Sequence, residues 1–408
     1  MSTGVVWFRN DLRLAGNPAW AEATARHDRV VAVFVVDPAL WTDTPRAAQL
    51  AAHLRALDEG LRRRGGCLRV LRGAPVEAVV GAAADEVHWN GDATPYATAR
   101  DEAVQRRLGE RAVVHQGRWV HPPGAVLTGD GGPYRVFTPF YRKWADLPLP
   151  VRGEAGPAAV DGTAGASIPA MGPPLMEGGE EAARDRLVAF LDRVDRYDVE
   201  RDRPDLDTTS RLSADLKFGT LDPREVVAAC GEATPGRRAL VRQLAWRDFY
   251  GHLMAAFPAT ASSAMRPEFD RVAWRDDEEG LQAWIEGRTG YPIVDAAMRQ
   301  LGGEGWIHNR VRMVAASFLV KHLLIDWRVG ERHFRRLLVD GDIAQNVGNW
   351  QWVAGTGADA APYFRIFNPV AQGRKFDQEG AFVKRWVPEL AGLDAPAVHS
   401  PWTADPAV

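Results

Sequence analysis

Residues 338–377 read LVDGDIAQNVGNWQWVAGTGADAAPYFRIFNPVAQGRKFD, bringing carboxylates, amides and two closely spaced indoles into one run. Asp342 is a good helix N-cap, so Asp340, Gly341 and Asp342 fall at a helix start, where the dipole tolerates negative charge. With a helix beyond it, Asp342 and Asn346 share one face at i, i+4 spacing, while Trp350 and Trp352, two apart, diverge. Such a set suits a flat aromatic cofactor. It equally describes a capped helix with core tryptophans, and the segment alone does not choose between them.

Two other stretches carry candidate chemistry. In RQLAWRDFY (242–250), Gln243, Trp246, Arg247 and Tyr250 fall at i, i+3, i+4 and i+7. A face of amide, indole and guanidinium is a poor core stripe and suits a cavity wall, where an indole stacks on a base for roughly 1–3 kcal/mol. In TTSRLS (208–213), the hydroxyls of Thr209, Ser210 and Ser213 cluster where a new helix begins. Backbone N–H groups with short hydroxyls suit a diphosphate, and they also describe an ordinary capped helix. His308, His322 and His333 lack metal-ligand spacing and are expected to be structural or surface residues, so no metal site is expected. The two cysteines, Cys67 and Cys230, are too few for a disulfide framework or a zinc site and are expected as small core residues.

The elements that must position these groups fall into two kinds. From Gly4 to about residue 130, apolar runs at VVWF, VVAVFVV, CLRVLR, EVHWN and AVVHQ alternate with amphipathic stretches, the pattern of a parallel α/β sheet. No GxGxxG follows the first run, so a dinucleotide clamp is not expected there. A stretch rich in Pro, Gly and Ala then reads as a long linker, and beyond it the periodicity is helical throughout, an all-α half.

A chain of 408 residues with 46% hydrophobic content can bury two cores. A net charge of −3 argues against a generally basic coat, but a local face of Arg201, Arg310, Arg365, Arg374 and Lys375 would suffice for phosphate contacts. No apolar run is long enough for a membrane span, and MSTGVVWFRN has no export pattern, so a cytoplasmic protein is expected.

VVWFRNDLRL (5–14), TTSRLS (208–213), WRDFY (246–250), TGYPIVDAAMRQL (289–301), GWIHNRVRM (305–313) and the run from Asp340 to Trp352 together resemble the photolyase and cryptochrome family, in order and over nearly the whole chain. The resemblance is closest to bacterial members that repair cyclobutane pyrimidine dimers. It implies a Rossmann-like α/β antenna domain over 1–130, a linker over 131–180, and an all-α domain over 181–408 that binds FAD and the DNA lesion. It further implies FAD contacts from Tyr197, Thr209, Ser210, Arg211, Leu212, Ser213, Arg247, Asn309, Arg312, Asp340, Gly341, Asp342 and Asn346. In it, Arg312 pairs with Asp340 and Asn346 faces flavin N5. Trp350, Trp327 and Trp274 match an electron relay. Arg201, Gln243, Trp246, Arg247, Tyr250, Asn309, Arg310, Met313, Trp352, Arg365 and Gln372 match substrate positions.

The implied activity is light-driven repair by electron transfer from reduced FAD to a flipped-out dimer, by a monomer acting on ultraviolet-damaged DNA. A second antenna chromophore, a deazaflavin or methenyltetrahydrofolate, is implied without a choice between them. Asn309 fits dimer repair, whereas Gln243 is shared with relatives acting on (6-4) lesions. A (6-4) photolyase and a cryptochrome-type light sensor therefore stand as alternatives.

Overall fold

The computed structural model describes residues 1–359, 366–395 and 397–404. By internal contact the chain forms two compact units, one of Met1–Val194 with Ser210–Pro258, the other of Asp195–Thr209 with Ala259–Val408.

In the first unit all five expected strands form: β1 (Thr3–Phe8), β2 (Arg29–Val36), β3 (Leu68–Arg72), β4 (Glu86–Asn90) and β5 (Ala112–His115). They pair in parallel in the order β3-β2-β1-β4-β5, and a short β6 (Ala159–Val160) pairs with β2. Val5, Val6, Trp7 and Phe8 of β1 are all buried, as a central parallel strand covered on both faces requires.

The Gly-rich stretch follows the sheet domain closely. A Cβ at Gly156 would meet Thr24 O at 2.4 Å, and one at Gly165 would meet Val70 O at 2.2 Å, so only glycine lets the backbone lie this near. Both cysteines are buried and free. The Pro235–Ala256 helix belongs to this unit and packs on the Phe137–Asp146 helix. It starts at Thr234, whose hydroxyl accepts from Arg237 N, with Pro235 in the first turn.

The second unit is helical among the described residues, with Pro292–Glu304, Asn309–Lys321, Trp327–Leu337 and Ile343–Ala354 at its centre. The apolar pattern NRVRMVAASFLVKHLLI runs to Ile325, yet its helix ends at Lys321. Leu324 takes a left-handed φ of 59°, and the Ile325 N–H returns to Leu319 O, so Ile325 stays buried after the backbone has turned. Among the described residues no helix is long and apolar enough to cross a membrane.

Candidate cofactor cleft and DNA-binding residues

A cleft of about 510 Å³ in the second unit is lined by Asn309, Arg312, Met313, Phe334, Asp340, Gly341, Asp342, Gln345, Asn346, Asn349 and Trp350, among others. Its floor is the turn between two helices. Val339 N donates to Gly305 O at 2.8 Å, fixing the turn. Asp342 caps the Ile343–Ala354 helix by accepting from Gln345 N at 3.2 Å.

Arg312 reaches across from the Asn309–Lys321 helix, donating Nη2 to Asp340 Oδ2 at 2.8 Å and Nε to Ile307 O at 2.7 Å. The other Asp340 oxygen, Oδ1, is buried with no partner. A buried acceptor left over in a concave site is hydrogen-bonding capacity for a ligand.

Asn346 is held by a residue that sequence reasoning missed. Its Nδ2 donates to both the carbonyl and the Oε1 of Glu331, at 3.0 and 2.9 Å. Glu331 is buried, which pushes its carboxyl up, against the pull of Arg335. Behind the cleft, Trp350 meets Phe334 edge-on at 5.0 Å, and Trp284 stacks on Phe334 at 5.8 Å. Trp350 lies so close to the Trp327–Leu337 helix that a Cβ at Gly330 would stand 2.2 Å from its Cη2. Trp327 is buried, and Trp274 is partly exposed. Trp352 turns the other way, its Nε1 donating to Asp359 O at 3.0 Å, so the i, i+2 divergence is real.

A second and larger cleft, about 1020 Å³, is lined by Val199, Asp202, Arg203, Arg310, Met313, Phe367, Gln372, Lys375 and Phe376. Met313 lines both clefts. Arg310 pairs with Asp202 at 2.8 Å and lies over the Phe376 ring at 4.3 Å. Gln372 Oε1 is buried without a partner. Arg374 donates to Ser400 Oγ at 3.0 Å, and Lys375 is exposed. Arg201 lies over Tyr197 at 5.7 Å, and burial pushes the Tyr197 hydroxyl up. Arg365 falls outside the described residues.

The remaining candidates lie in the first unit or at its edge. Trp246 stacks flat on Phe137 at 3.6 Å, and Tyr250 is buried beside it at 5.6 Å. Gln243 Nε2 donates to Ala239 O at 3.3 Å. Arg247 donates to Arg118 O at 2.7 Å and Leu216 O at 3.0 Å and lies over Trp119, so its guanidinium ties backbone segments together. In 208–213 a turn with Arg211 at a left-handed φ of 52° leads into the Ser213–Phe218 helix. Ser210 Oγ accepts from Leu212 N at 3.4 Å. The hydroxyls of Thr208 and Thr209 are buried without partners.

Residues 240–408 match the family model described as the FAD binding domain of DNA photolyase, and residues 4–157 match that described as DNA photolyase. A deoxyribodipyrimidine photo-lyase of Streptomyces griseus is 45% identical, with 98% of this chain and 93% of that protein covered. That of Escherichia coli K12 is 42% identical over 98% and 92%.

Among solved structures, a class III photolyase of Agrobacterium tumefaciens superposes with a TM-score of 0.93 at 37% identity, covering 100% of this chain and 91% of that one. An archaeal photolyase of Sulfolobus tokodaii, described with two FAD molecules that imply a novel light-harvesting cofactor, gives 0.88 at 34% identity, covering 99% and 94%. A Synechocystis cryptochrome gives 0.88 at 27%, covering 99% and 92%. The chain belongs to the DNA photolyase family. Its cofactor is FAD, and the unpaired Asp340 oxygen beside Arg312 fits the mixed donors and acceptors of a flavin ring edge.

Proposed function

We propose that the chain is a light-dependent carbon–carbon lyase that repairs cyclobutane pyrimidine dimers in ultraviolet-damaged DNA. The observation that carries this reading is full-length similarity, at 45% identity over 98% of the chain, to a relative named for that activity. Bound, reduced FAD supplies the electron that opens the cyclobutane ring once it has absorbed blue or near-ultraviolet light.

The protein's own part is to bind, orient and supply electrons. Arg312, Asp340, Gly341, Asp342 and Asn309 hold the ring system. Thr209, Ser210, Arg211, Leu212 and Ser213, with Tyr197, hold the diphosphate, and Arg247 braces that segment through Leu216 O. Two acceptors on Glu331 take the Asn346 NH2 group, leaving Oδ1 as the atom Asn346 offers to a flavin. An acceptor there favours a protonated N5 and offers it no proton. Trp350, Trp327 and Trp274 pass an electron inward from the surface when the cofactor arrives oxidised.

The lesion is read by Gln243, Trp246, Tyr250, Asn309, Arg310, Met313, Trp352 and Gln372, with Arg201, Arg365 and Lys375 on the phosphates. Extruding a dimer from the stack costs a few kcal/mol, less than for an intact pair, and this selects damage over sequence. The 1–130 domain takes an antenna chromophore, a deazaflavin or methenyltetrahydrofolate, which the near-ultraviolet absorption of the purified protein distinguishes. The protein works as a cytoplasmic monomer.

Gln243, shared with relatives acting on (6-4) lesions and with some bacterial dimer enzymes, does not by itself choose between the two lesions. Illuminating the purified, reduced protein with oligonucleotides carrying each lesion separates the two. Restoration of the cyclobutane dimer alone is expected. Restoration of neither lesion would leave a cryptochrome-type sensor as the better reading.

A further inference from the structure

Three side chains from two distant segments of the sheet domain converge at the amino ends of β1 and β4. His27, just past the Pro18–Arg26 helix, lies across β1, where a Cβ at Gly4 would come within 2.4 Å of its Cδ2. Gly4 pairs with Glu86 of β4, and two residues on, on the same face, is His88. The contacts form a near-equilateral triangle: His27 Nε2 to Glu86 Oε2 is 3.2 Å, His88 Nε2 to Glu86 Oε2 is 3.2 Å, and His27 Nε2 to His88 Nε2 is 3.3 Å.

Hydrogen bonding cannot satisfy this triangle. The carboxylate oxygen only accepts, so both nitrogens must donate to it, and they then face each other as two donors. If either nitrogen accepts from the other, it opposes the carboxylate as a second acceptor. With the carboxylate ionised, every assignment leaves one close contact unfavourable, whereas a cation at the centre satisfies all three at once.

The spacing also fits. Ligands bonded at about 2.0–2.1 Å in a tetrahedron stand about 3.3–3.4 Å apart. Around the triangle, His88 Nδ1 is 3.1 Å from His115 Nε2, and Arg26 donates to Glu86 Oε1 at 2.8 Å, the outer partners that fix a tautomer and a carboxylate rotamer.

From this geometry we propose a divalent transition-metal site, of the zinc class, with His27 Nε2, His88 Nε2 and Glu86 Oε2 as ligands and the fourth position open to water. An imidazole ligates in its neutral form, with the lone pair of one nitrogen on the metal and the proton on the other. The Glu86 side chain is 20% exposed and provides the way in. Parallel α/β sheets bind nucleotide-like ligands at the carboxyl ends of their strands, so this site is separate from any antenna crevice.

Zinc titration of the full-length flavoprotein against a chromophoric chelator is expected to reveal one tight ion per chain. Glu86→Gln and His27→Gln should each weaken it at least about 100-fold, and His115→Phe about 10-fold, with flavin content and circular dichroism unchanged. The Cu²⁺-loaded wild type, which needs no variant, should show two imidazole nitrogens by pulsed electron paramagnetic resonance. Absence of a tight site, one imidazole or none on the copper, or zinc affinity unchanged in both Glu86→Gln and His27→Gln would each overturn the proposal.

Discussion

The amide of Asn346 is gripped twice by one residue, Glu331, through its backbone carbonyl and its carboxylate. Since only the NH2 end can satisfy two acceptors, the grip fixes which end of the amide meets the cleft. Glu331→Ala removes the charged acceptor, so a loss of about 1.5–3 kcal/mol in unfolding free energy is expected. The amide is then held by the backbone carbonyl alone and turns more easily, and the reduced flavin should reoxidise in air several-fold faster. Glu331→Gln keeps an acceptor in place and should restore most of both properties. Equal behaviour of the alanine and glutamine variants would show that Glu331 does not orient Asn346.

The close approach of Trp350 to Gly330 gives a second test. Gly330→Ala places a methyl where the indole now lies, and overpacking of this kind costs about 1–3 kcal/mol. Displacing Trp350 should slow photoreduction of the oxidised cofactor while leaving repair by chemically reduced enzyme intact. Trp350→Phe should abolish photoreduction and spare repair in the same way. Parallel loss of both activities in Trp350→Phe would refute the relay role, and a Gly330→Ala protein as stable as wild type would show that the indole moves aside freely.

What the sequence reveals and what it hides follow from the range of the signals. The two central strands, β1 and β2, are legible because parallel strands buried on both faces are near-continuous apolar runs, the outer ones only as shorter β-branched runs between amphipathic stretches, and the Asp340–Trp352 segment because its chemistry lies within a single helix and its cap. Glu331 is hidden in ERHFRRLLV, where a glutamate among arginines looks like a solvated helix face. Only the fold shows that it is buried beneath Asn346. Trp284 is likewise core-like in sequence, and its place behind Trp350 depends on helix packing. His27, Glu86 and His88 come from two segments about 60 residues apart, so no ligand spacing could announce them.

Buried imidazoles make the protein acid-sensitive. Desolvation holds His53 down to about 3, and His308 and His333 down to about 4, whereas in the unfolded chain each returns to 6.5. The folded state therefore binds fewer protons than the unfolded state between pH 6.5 and about 4. Stability is full above 6.5 and falls as pH drops through that window. Each residue should cost on the order of 2 kcal/mol at pH 5. His53 accepts from Gly179 N at 3.0 Å, so His53→Gln lowers stability at neutral pH but should shrink the difference between urea midpoints at pH 7 and pH 5. An undiminished difference would show that His53 is protonated at little cost.

The basic cleft makes a prediction about salt. Arg310 already has Asp202 at 2.8 Å, so its charge is largely neutralised before any phosphate arrives, whereas Lys375 is exposed above the Phe376 ring at 5.1 Å. A cation that displaces counterions from duplex DNA contributes about 0.9 to the slope of log affinity against log salt. Lys375→Ala should reduce that slope by nearly this amount and weaken damaged and undamaged duplexes alike, since phosphate contacts carry no information about the lesion. Arg310→Ala should change the slope less, and it should act on damaged DNA selectively, because its guanidinium and Met313 line the same cleft. The measurement is fluorescence anisotropy of both duplexes across a salt series. A larger slope change from Arg310→Ala than from Lys375→Ala would mean that Asp202 releases Arg310 to the phosphates when DNA binds.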